Sequence, residues 1–466
     1  MFSYLNKGKT FYHDLIKLSV PIVLQNLVIH SLGLVDTFMV GRLPGEIPMA
    51  AVTLANVPIF VMQLIVFGLQ SGASVLISQY WGKKDTDAIN RVLGIGIYAG
   101  AAVSIPFALV MFFFPASFMG LFSNNAPLVA VAAGYARIVG FSCVFNSVTQ
   151  VYLGAQRSME KPSVGLCISS VAMLSNTFLN WVLIFGMLGA PAMGVEGAAL
   201  ATLISCVLEF VITAVYAAFS PAFRLRPVLL LRPGTLLLRS YVRYATPVVL
   251  NETLWGLGTS LYPTIMGHMA ESTEILTAFT IAGNIDRVCT VAVFALANAA
   301  AIIVGREIGA GGRSDRVYEV GAALNTVAFA AGLATGMVMI AATFLVIAPC
   351  IYPFFGLSAR AAAISTMMQM VTALFLATRA FNAANIVGVL RGGGDVRAAS
   401  MIDLVPLWGL ALPLSALFGL VWKLDILWVF LCISAENIVK LILGIYRFRS
   451  GAWINDVTQA PFTDHN

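Results

Sequence analysis

Twelve times along its 466 residues the chain runs through twenty or more residues that are nearly all apolar. A helix of about 20 such residues spans the hydrocarbon core of a bilayer. Inside that core every backbone N–H and C=O must find its partner within the protein, and a helix satisfies this by itself. The runs cover 15–40, 49–80, 92–114, 128–152, 162–185 and 194–218, then 242–266, 276–304, 318–347, 362–389, 398–420 and 426–445. The second is long enough to tilt or to project from the membrane. Charged residues make up only 10% of the chain, against about 25% in soluble domains. A soluble enzyme of this composition would have no surface to present to water. The expected fold is an all-α polytopic membrane protein of twelve transmembrane helices.

The run at 15–40 is too long for a signal-peptide core and has no small-residue cleavage site, so it reads as the first span. The six cysteines stand singly in apolar stretches and read as small buried hydrophobes, not as disulfides or metal ligands. The net charge of +6 carries no nucleic-acid signal, because its meaning depends on where the positive residues fall between spans. Of 27 Lys and Arg, 21 lie at the amino terminus, in the even-numbered connections or at the carboxy terminus, Lys7, Lys161, Arg232, Arg313, Arg391 and Lys440 among them. The odd-numbered connections hold Arg42, Arg360 and Lys423, and Arg137, Arg287 and Arg379 fall within spans. The asymmetry predicts cytoplasmic termini and an even number of crossings.

The two halves repeat. Val20-Pro21-Ile22-Val23-Leu24 matches Thr246-Pro247-Val248-Val249-Leu250 at an offset of 226, and Gly41 meets Gly267 at the same offset. Gln79-Tyr80-Trp81-Gly82 meets Arg306-Glu307-Ile308-Gly309, and Gly154-Ala155-Gln156-Arg157 meets Gly388-Val389-Leu390-Arg391, at nearly that spacing. Six spans per half make a parallel repeat, the architecture of secondary transporters whose substrate route runs through a central cleft between the halves. The predicted division is an amino-terminal six-helix lobe at 1–219, a cytoplasmic linker at 220–243 with Pro221, Pro227 and Pro233, a second lobe at 244–449 and a cytoplasmic tail at 450–466.

These residues resemble a known family. Val35-Asp36-Thr37-Phe38-Met39-Val40-Gly41-Arg42, Gln79-Tyr80-Trp81-Gly82 and Leu390-Arg391-Gly392-Gly393-Gly394-Asp395 are similar to motifs of the multidrug and toxic compound extrusion family. Leu250-Asn251-Glu252-Thr253-Leu254-Trp255 looks like a bacterial branch distinct from the NorM-type and DinF-type members. The resemblance implies a secondary antiporter that expels organic compounds, often cationic and amphipathic, in exchange for protons or sodium ions.

An ionisable side chain inside a span costs about 2.5–3.5 kcal/mol at mid-helix on insertion scales, and is functional by default. The candidates are Asp36, Glu209, Glu252, Asp286, Asp403 and Glu436. Glu209, Asp403 and Glu436 read as interfacial or structural pairs. Asp36 is the strongest, sharing its helix with Gln25, Asn26 and Thr37. Asn176 and Asn180, at i and i+4, present their amides on one helix face. Three oxygen-bearing side chains suit a dehydrated sodium ion, a hard cation that takes oxygen ligands. Alternatively, desolvation in an apolar cavity favours the neutral carboxyl and makes Asp36 a proton carrier. The family resemblance points to the same positions as the amino-half cation site and adds Thr202.

Glu252 lies five residues after Pro247, in the helix the repeat aligns with the first, and can attract a cationic substrate or pair with Arg287. NorM-type members carry an acid in the tenth helix; here Asn382 and Asn385 are the only comparable oxygens. Asp286 and Arg287 are adjacent, about 100° apart on a helix, so each needs a partner from another helix. His30 reads as a satisfied core residue. Gly392-Gly393-Gly394-Asp395 imitates an aspartyl-protease string, but in a basic loop with no facing carboxylate. There is no H-E-x-x-H, Walker A or C-x-x-C pair, and no catalytic residue is assigned.

The expected function is therefore alternating-access export of drug-like compounds coupled to a proton or sodium ion, in a bacterial inner membrane. The expected partners are small organic substrates, the coupling cation and lipid, with no nucleic acid, no cofactor and a monomeric chain. The alternative, a flippase for lipid-linked glycan precursors, should line its cavity with several Arg and Lys, whereas only three basic residues against six acids lie within spans.

Overall fold

The computed structural model describes residues 8–220 and 223–459. Lys7, Pro221 and the tail beyond Gln459, which enter the charge count, linker and tail above, lie outside the described residues. Helix is the only regular structure among the described residues. The twelve long helices are α1 (Lys9–Val40), α2 (Ile47–Gly82), α3 (Thr86–Phe113), α4 (Ala126–Ser158), α5 (Pro162–Phe185), α6 (Gly194–Phe219), α7 (Thr235–Gly267), α8 (Ser272–Gly309), α9 (Ser314–Phe354), α10 (Ala359–Leu390), α11 (Val396–Val421) and α12 (Ile426–Arg449). Side chains cap four of them where the sequence turns into a new apolar run. Asp85, Asn125, Ser358 and Asp425 accept from the backbone N–H groups of Ala88, Leu128, Ala361 and Leu427, which the first helical turn leaves unpaired.

Eleven of the twelve are long and apolar enough to cross a membrane. The exception is α7, whose 33 residues reach about 50 Å but carry Pro247, Asn251, Glu252 and Thr253 at mid-length. The protein is an all-helical integral membrane protein. Its apolar residues do not sort into a core as they would in water. Leu174, Phe219 and Leu374 are among the most exposed large side chains, because lipid tails are as apolar as leucine and drive no burial. The same reason corrects the reading of the cysteines: all six are free, yet only Cys143 is buried, and Cys167 and Cys350 are exposed.

Two compact units divide the chain. One comprises Pro21–Glu252; the other comprises Thr253–Asn466 with the Met1–Val20 segment. Both borders fall inside helices, α1 and α7. Leu15 and Leu18 of α1 are buried with Ile303 of α8, Val317 of α9 and Leu390 of α10, in the core of the second unit. Beyond Pro21, which removes a backbone hydrogen bond from the helix, Gln25 joins the first unit's interior. The first half of α7 belongs to that unit as well. Gly68 and Gly72 of α2 let the α7 backbone approach so closely that added Cβ atoms would sit 2.6 Å from Val249 Cα and 2.4 Å from Ala245 Cα. In the second half of α7, Tyr262 and Ile265 are buried with Leu407 and Leu412 of α11. Of the expected linker, Pro227–Leu231 forms a short helix and Thr235 onward belongs to α7.

Candidate functional site

In the amino-terminal unit, α1, α5 and α6 bring four polar side chains into one chain. Asn180 Nδ2 donates to Asp36 Oδ1 at 2.5 Å and to Asn176 Oδ1 at 2.9 Å. Asn176 Nδ2 in turn donates to Thr202 Oγ1 at 3.5 Å, and the threonine hydroxyl donates to the Ala198 carbonyl one turn back. The i, i+4 spacing puts both amides on one face of α5, and that face is turned inward: Asn176 and Asn180 are fully buried. Asp36 is half-buried near the end of α1. No Lys or Arg among the described residues forms an ion pair with it. Asn180 Oδ1 is buried and accepts no hydrogen bond. The carboxylate is thus met by an amide N–H, and the open carbonyl belongs to that same amide. These are hard oxygen donors, the set a sodium ion takes, and a proton would serve the carboxylate equally well.

A second polar string crosses the same unit two helical turns away on α5 and α6. Buried Gln25 of α1 accepts from Arg157 Nη2 at 3.5 Å and donates to Ser169 Oγ at 3.4 Å, and Ser169 donates to Glu209 Oε1 at 3.2 Å. Gly165 makes room for Gln25, since a Cβ there would lie 2.6 Å from Gln25 Nε2. Glu209 forms no ion pair among the described residues; its partner is a hydroxyl. Sequence reasoning left Arg157 in a connection, but it is buried in the last turn of α4.

The carboxy-terminal unit carries a charge network. Arg379 of α10 grips Asp286 of α8 with two hydrogen bonds, Nη1 to Oδ1 at 2.7 Å and Nη2 to Oδ2 at 2.9 Å. Asp286 thus finds the interhelical partner that its adjacency to Arg287 demanded, while Arg287 is exposed. Lys440 Nζ donates to Asp403 Oδ1 of α11 at 2.9 Å and to Glu436 Oε1 of its own helix at 3.2 Å. Lys440 therefore carries no weight in the charge count between spans: it is buried within α12, one turn beyond Glu436 and two before Arg449. Its apolar stem and buried partners hold there a cation that sequence alone assigns to the helix end.

The remaining candidates separate by access. Asn382 donates to the Asn437 carbonyl at 2.8 Å, and Asn385 accepts from Asn325 at 3.0 Å; both are buried. Asn26 and Glu252 are half-buried, and His30, read as a core residue, is exposed. Of the two cations that hold the network together, the sequence placed Arg379 within a span without assigning its partner, and Lys440 at the carboxy terminus. The available signal was their number: basic residues inside apolar helices require acids near them.

Comparison with known proteins bears on the whole chain. It is 24% identical over 451 residues to the uncharacterized transporter YisQ of Bacillus subtilis, covering 96% of this chain and 95% of that one. It is 27% identical to the probable multidrug resistance protein YoeA of the same organism, covering 92% of each. Among solved structures, the eukaryotic MATE transporter AtDTX14 superposes with a TM-score of 0.84 at 18% identity, over 97% of this chain and 98% of that one, and so shares its two-lobed fold. The MatE family model matches twice, at residues 21–182 and again at 247–417, starting points separated by the same 226 residues as Pro21 and Pro247. With more than half of its length matched in two successive copies, the chain belongs to the MatE family, the multidrug and toxic compound extrusion transporters.

Proposed function

We propose that the protein is a secondary active antiporter that exports organic, drug-like compounds, cationic or amphipathic, in exchange for protons or sodium ions by alternating access. The carrying observation is the half-buried Asp36 carboxylate, which accepts from the Asn180 amide N–H and has no ion-pair partner among the described residues, beside an amide whose own carbonyl is buried and open. A proton or a sodium ion is the charge such a site takes. A coupling ion drives transport only by binding one conformation better than the other; equal affinity shifts nothing. Asn176 and Thr202 extend the oxygen set on the neutral side.

Of the substrate candidates, Arg287 is exposed and Asn26 and Glu252 are half-buried, an exposure that supports a role toward substrate. Asp286, Asn382 and Asn385 are engaged by neighbours, which supports a framework role. The working topology has lobes at 1–219 and 244–449 joined by a linker at 220–243, with both termini and the tail at 450–466 cytoplasmic. It places a monomer in the plasma membrane, the inner membrane of a bacterium. The excess of positive charge in the even-numbered connections supports that orientation even without Lys440.

The test is dye efflux by purified protein in vesicles with sodium and proton gradients imposed separately. Asp36→Asn, nearly isosteric, should insert and fold normally yet lose uphill export, and Asn176→Ala should lose only part of it. Wild-type rates in the Asp36→Asn variant would remove Asp36 from the coupling mechanism.

A further inference from the structure

The connection between α6 and α7 is strongly and one-sidedly charged. Residues 220–243 hold five arginines, Arg224, Arg226, Arg232, Arg239 and Arg243, and no Asp, Glu or Lys. All five are exposed. Arg226 pairs with Asp87 of α3, Nη1 to Oδ1 at 2.6 Å, whereas Arg224, Arg232 and Arg243 form no ion pair among the described residues. Asp85, the other acid at this end of α3, caps that helix. The segment is nonetheless held firmly. Asn90 of α3 takes it with both ends of its amide, accepting from the Arg226 N–H at 3.0 Å and donating to the Arg224 carbonyl at 3.3 Å. Phe223 is buried. Gly94 lets the short helix Pro227–Leu231 lie on α3, since a Cβ there would sit 2.4 Å from the Leu230 carbonyl oxygen. That contact occupies one face of the short helix. The other shows Val228 and Leu231, 68% and 69% exposed, with Arg226 and Arg232 flanking them, and Leu236 follows at 50% in the first turn of α7.

We propose that this connection is a binding surface for anionic phospholipid, with its aliphatic side chains at the acyl boundary and its arginines on the phosphates. The segment follows directly on α6, a helix long and apolar enough to cross a membrane, so it begins at the membrane surface. Exposed aliphatic residues among cations are what an interfacial segment presents, and each arginine near an anionic leaflet adds to the attraction. The guanidinium fork suits a phosphate, which it can hold with two parallel hydrogen bonds. A soluble acidic partner would use the arginines alone and leave Val228 and Leu231 facing water; phospholipid uses both. Because Asn90 and Gly94 fix the segment on α3 beforehand, little ordering opposes binding. The proposal is independent of the substrate and of the coupling ion.

The test is native mass spectrometry of the full-length protein released from detergent, titrated with phosphatidylglycerol and phosphatidylcholine in equal amounts. Wild type should retain phosphatidylglycerol in preference. Arg224→Gln, Arg232→Gln and Arg243→Gln combined should weaken that retention on the order of 100-fold, about fivefold per arginine. Leu231→Gln keeps every charge and should weaken it too, by about fivefold or more. Arg397→Gln with Arg449→Gln, at two exposed positions of the carboxy-terminal unit, should leave it unchanged. Equal retention of the two lipids by wild type, undiminished retention in the triple variant, or an equal loss in the Arg397/Arg449 control would overturn the proposal. So would a triple variant that loses polyglutamate binding but keeps phosphatidylglycerol, which would make the surface one for acidic proteins. Displacement of the lipid by millimolar inorganic phosphate with no effect of Leu231→Gln would overturn it as well, in favour of a free anion.

Discussion

Replacing either partner of the Asp286–Arg379 pair should destabilise the protein strongly, while replacing both should cost little more than one replacement alone. The pair is bidentate, at 2.7 and 2.9 Å, and its side chains are 23% and 29% exposed. Two charges about 4 Å apart attract by about 4 kcal/mol at an effective dielectric near 20. Removing one partner of a buried pair costs about 3–5 kcal/mol, because the other charge stays desolvated and unpaired. Partial exposure places the single variants near the lower end, about 2–4 kcal/mol. The two arms should differ. Asp286→Asn leaves Arg379 with Glu436 still in electrostatic reach, so part of its loss is recovered. Arg379→Gln leaves Asp286 without its cation and also removes a positive charge within electrostatic reach of Glu436, so it should cost more. In the double variant no charge is stranded, so the coupling energy should be at least about 2 kcal/mol, roughly 30-fold in the unfolded population. The assay is a double-mutant cycle on reversible unfolding of the reconstituted, full-length protein. Additivity within about 0.5 kcal/mol would refute the reasoning, since contacting charges must couple.

Introduced cysteines should report the orientation directly: at Arg232 and Arg313 they should react only from the cytoplasmic side, and at Glu46, Glu271 and Lys423 only from outside. Reaction of the Arg232 and Lys423 positions from one side would discard the topology. Glu252→Gln should weaken transport of cationic substrates more than neutral ones, because a carboxylate in a low-dielectric site discriminates by charge; equal losses in paired uptake assays would assign Glu252 a structural role. Gly332→Ala should destabilise by about 1–3 kcal/mol in the same unfolding assay, since its new Cβ would lie 2.5 Å from Ala380 Cβ and 2.7 Å from the Leu376 carbonyl. A silent Gly332→Ala would mean that α9 can withdraw from α10 without cost.

Most of the amino-terminal polar cluster was legible in the sequence: Asp36, Asn176 and Asn180 from residue type and spacing, Thr202 only through the family resemblance. Lipid is a uniform solvent, so an acid and two amides at helical spacing in apolar helices have one tolerable direction, inward and toward each other. Asp36, Asn176, Asn180 and Thr202 do form one hydrogen-bonded chain. The helices and the duplication were legible for the same reason, since twenty apolar residues mean a span wherever they occur. The cations were not. Whether Asp286 meets Arg287 or Arg379 depends on which turns of α8 and α10 face each other, 93 residues apart in the chain. Whether Lys440 reaches water or lies between Asp403 and Glu436 depends on the approach of α11 to α12. The membership of the first half of α7 in the amino-terminal unit goes with the close backbone approach that Gly68 and Gly72 of α2 permit, which no local pattern records. Sequence by itself determined what each segment could tolerate around it; tertiary structure decided which tolerated partner it met, because pairing energies act between helices that only folding brings together.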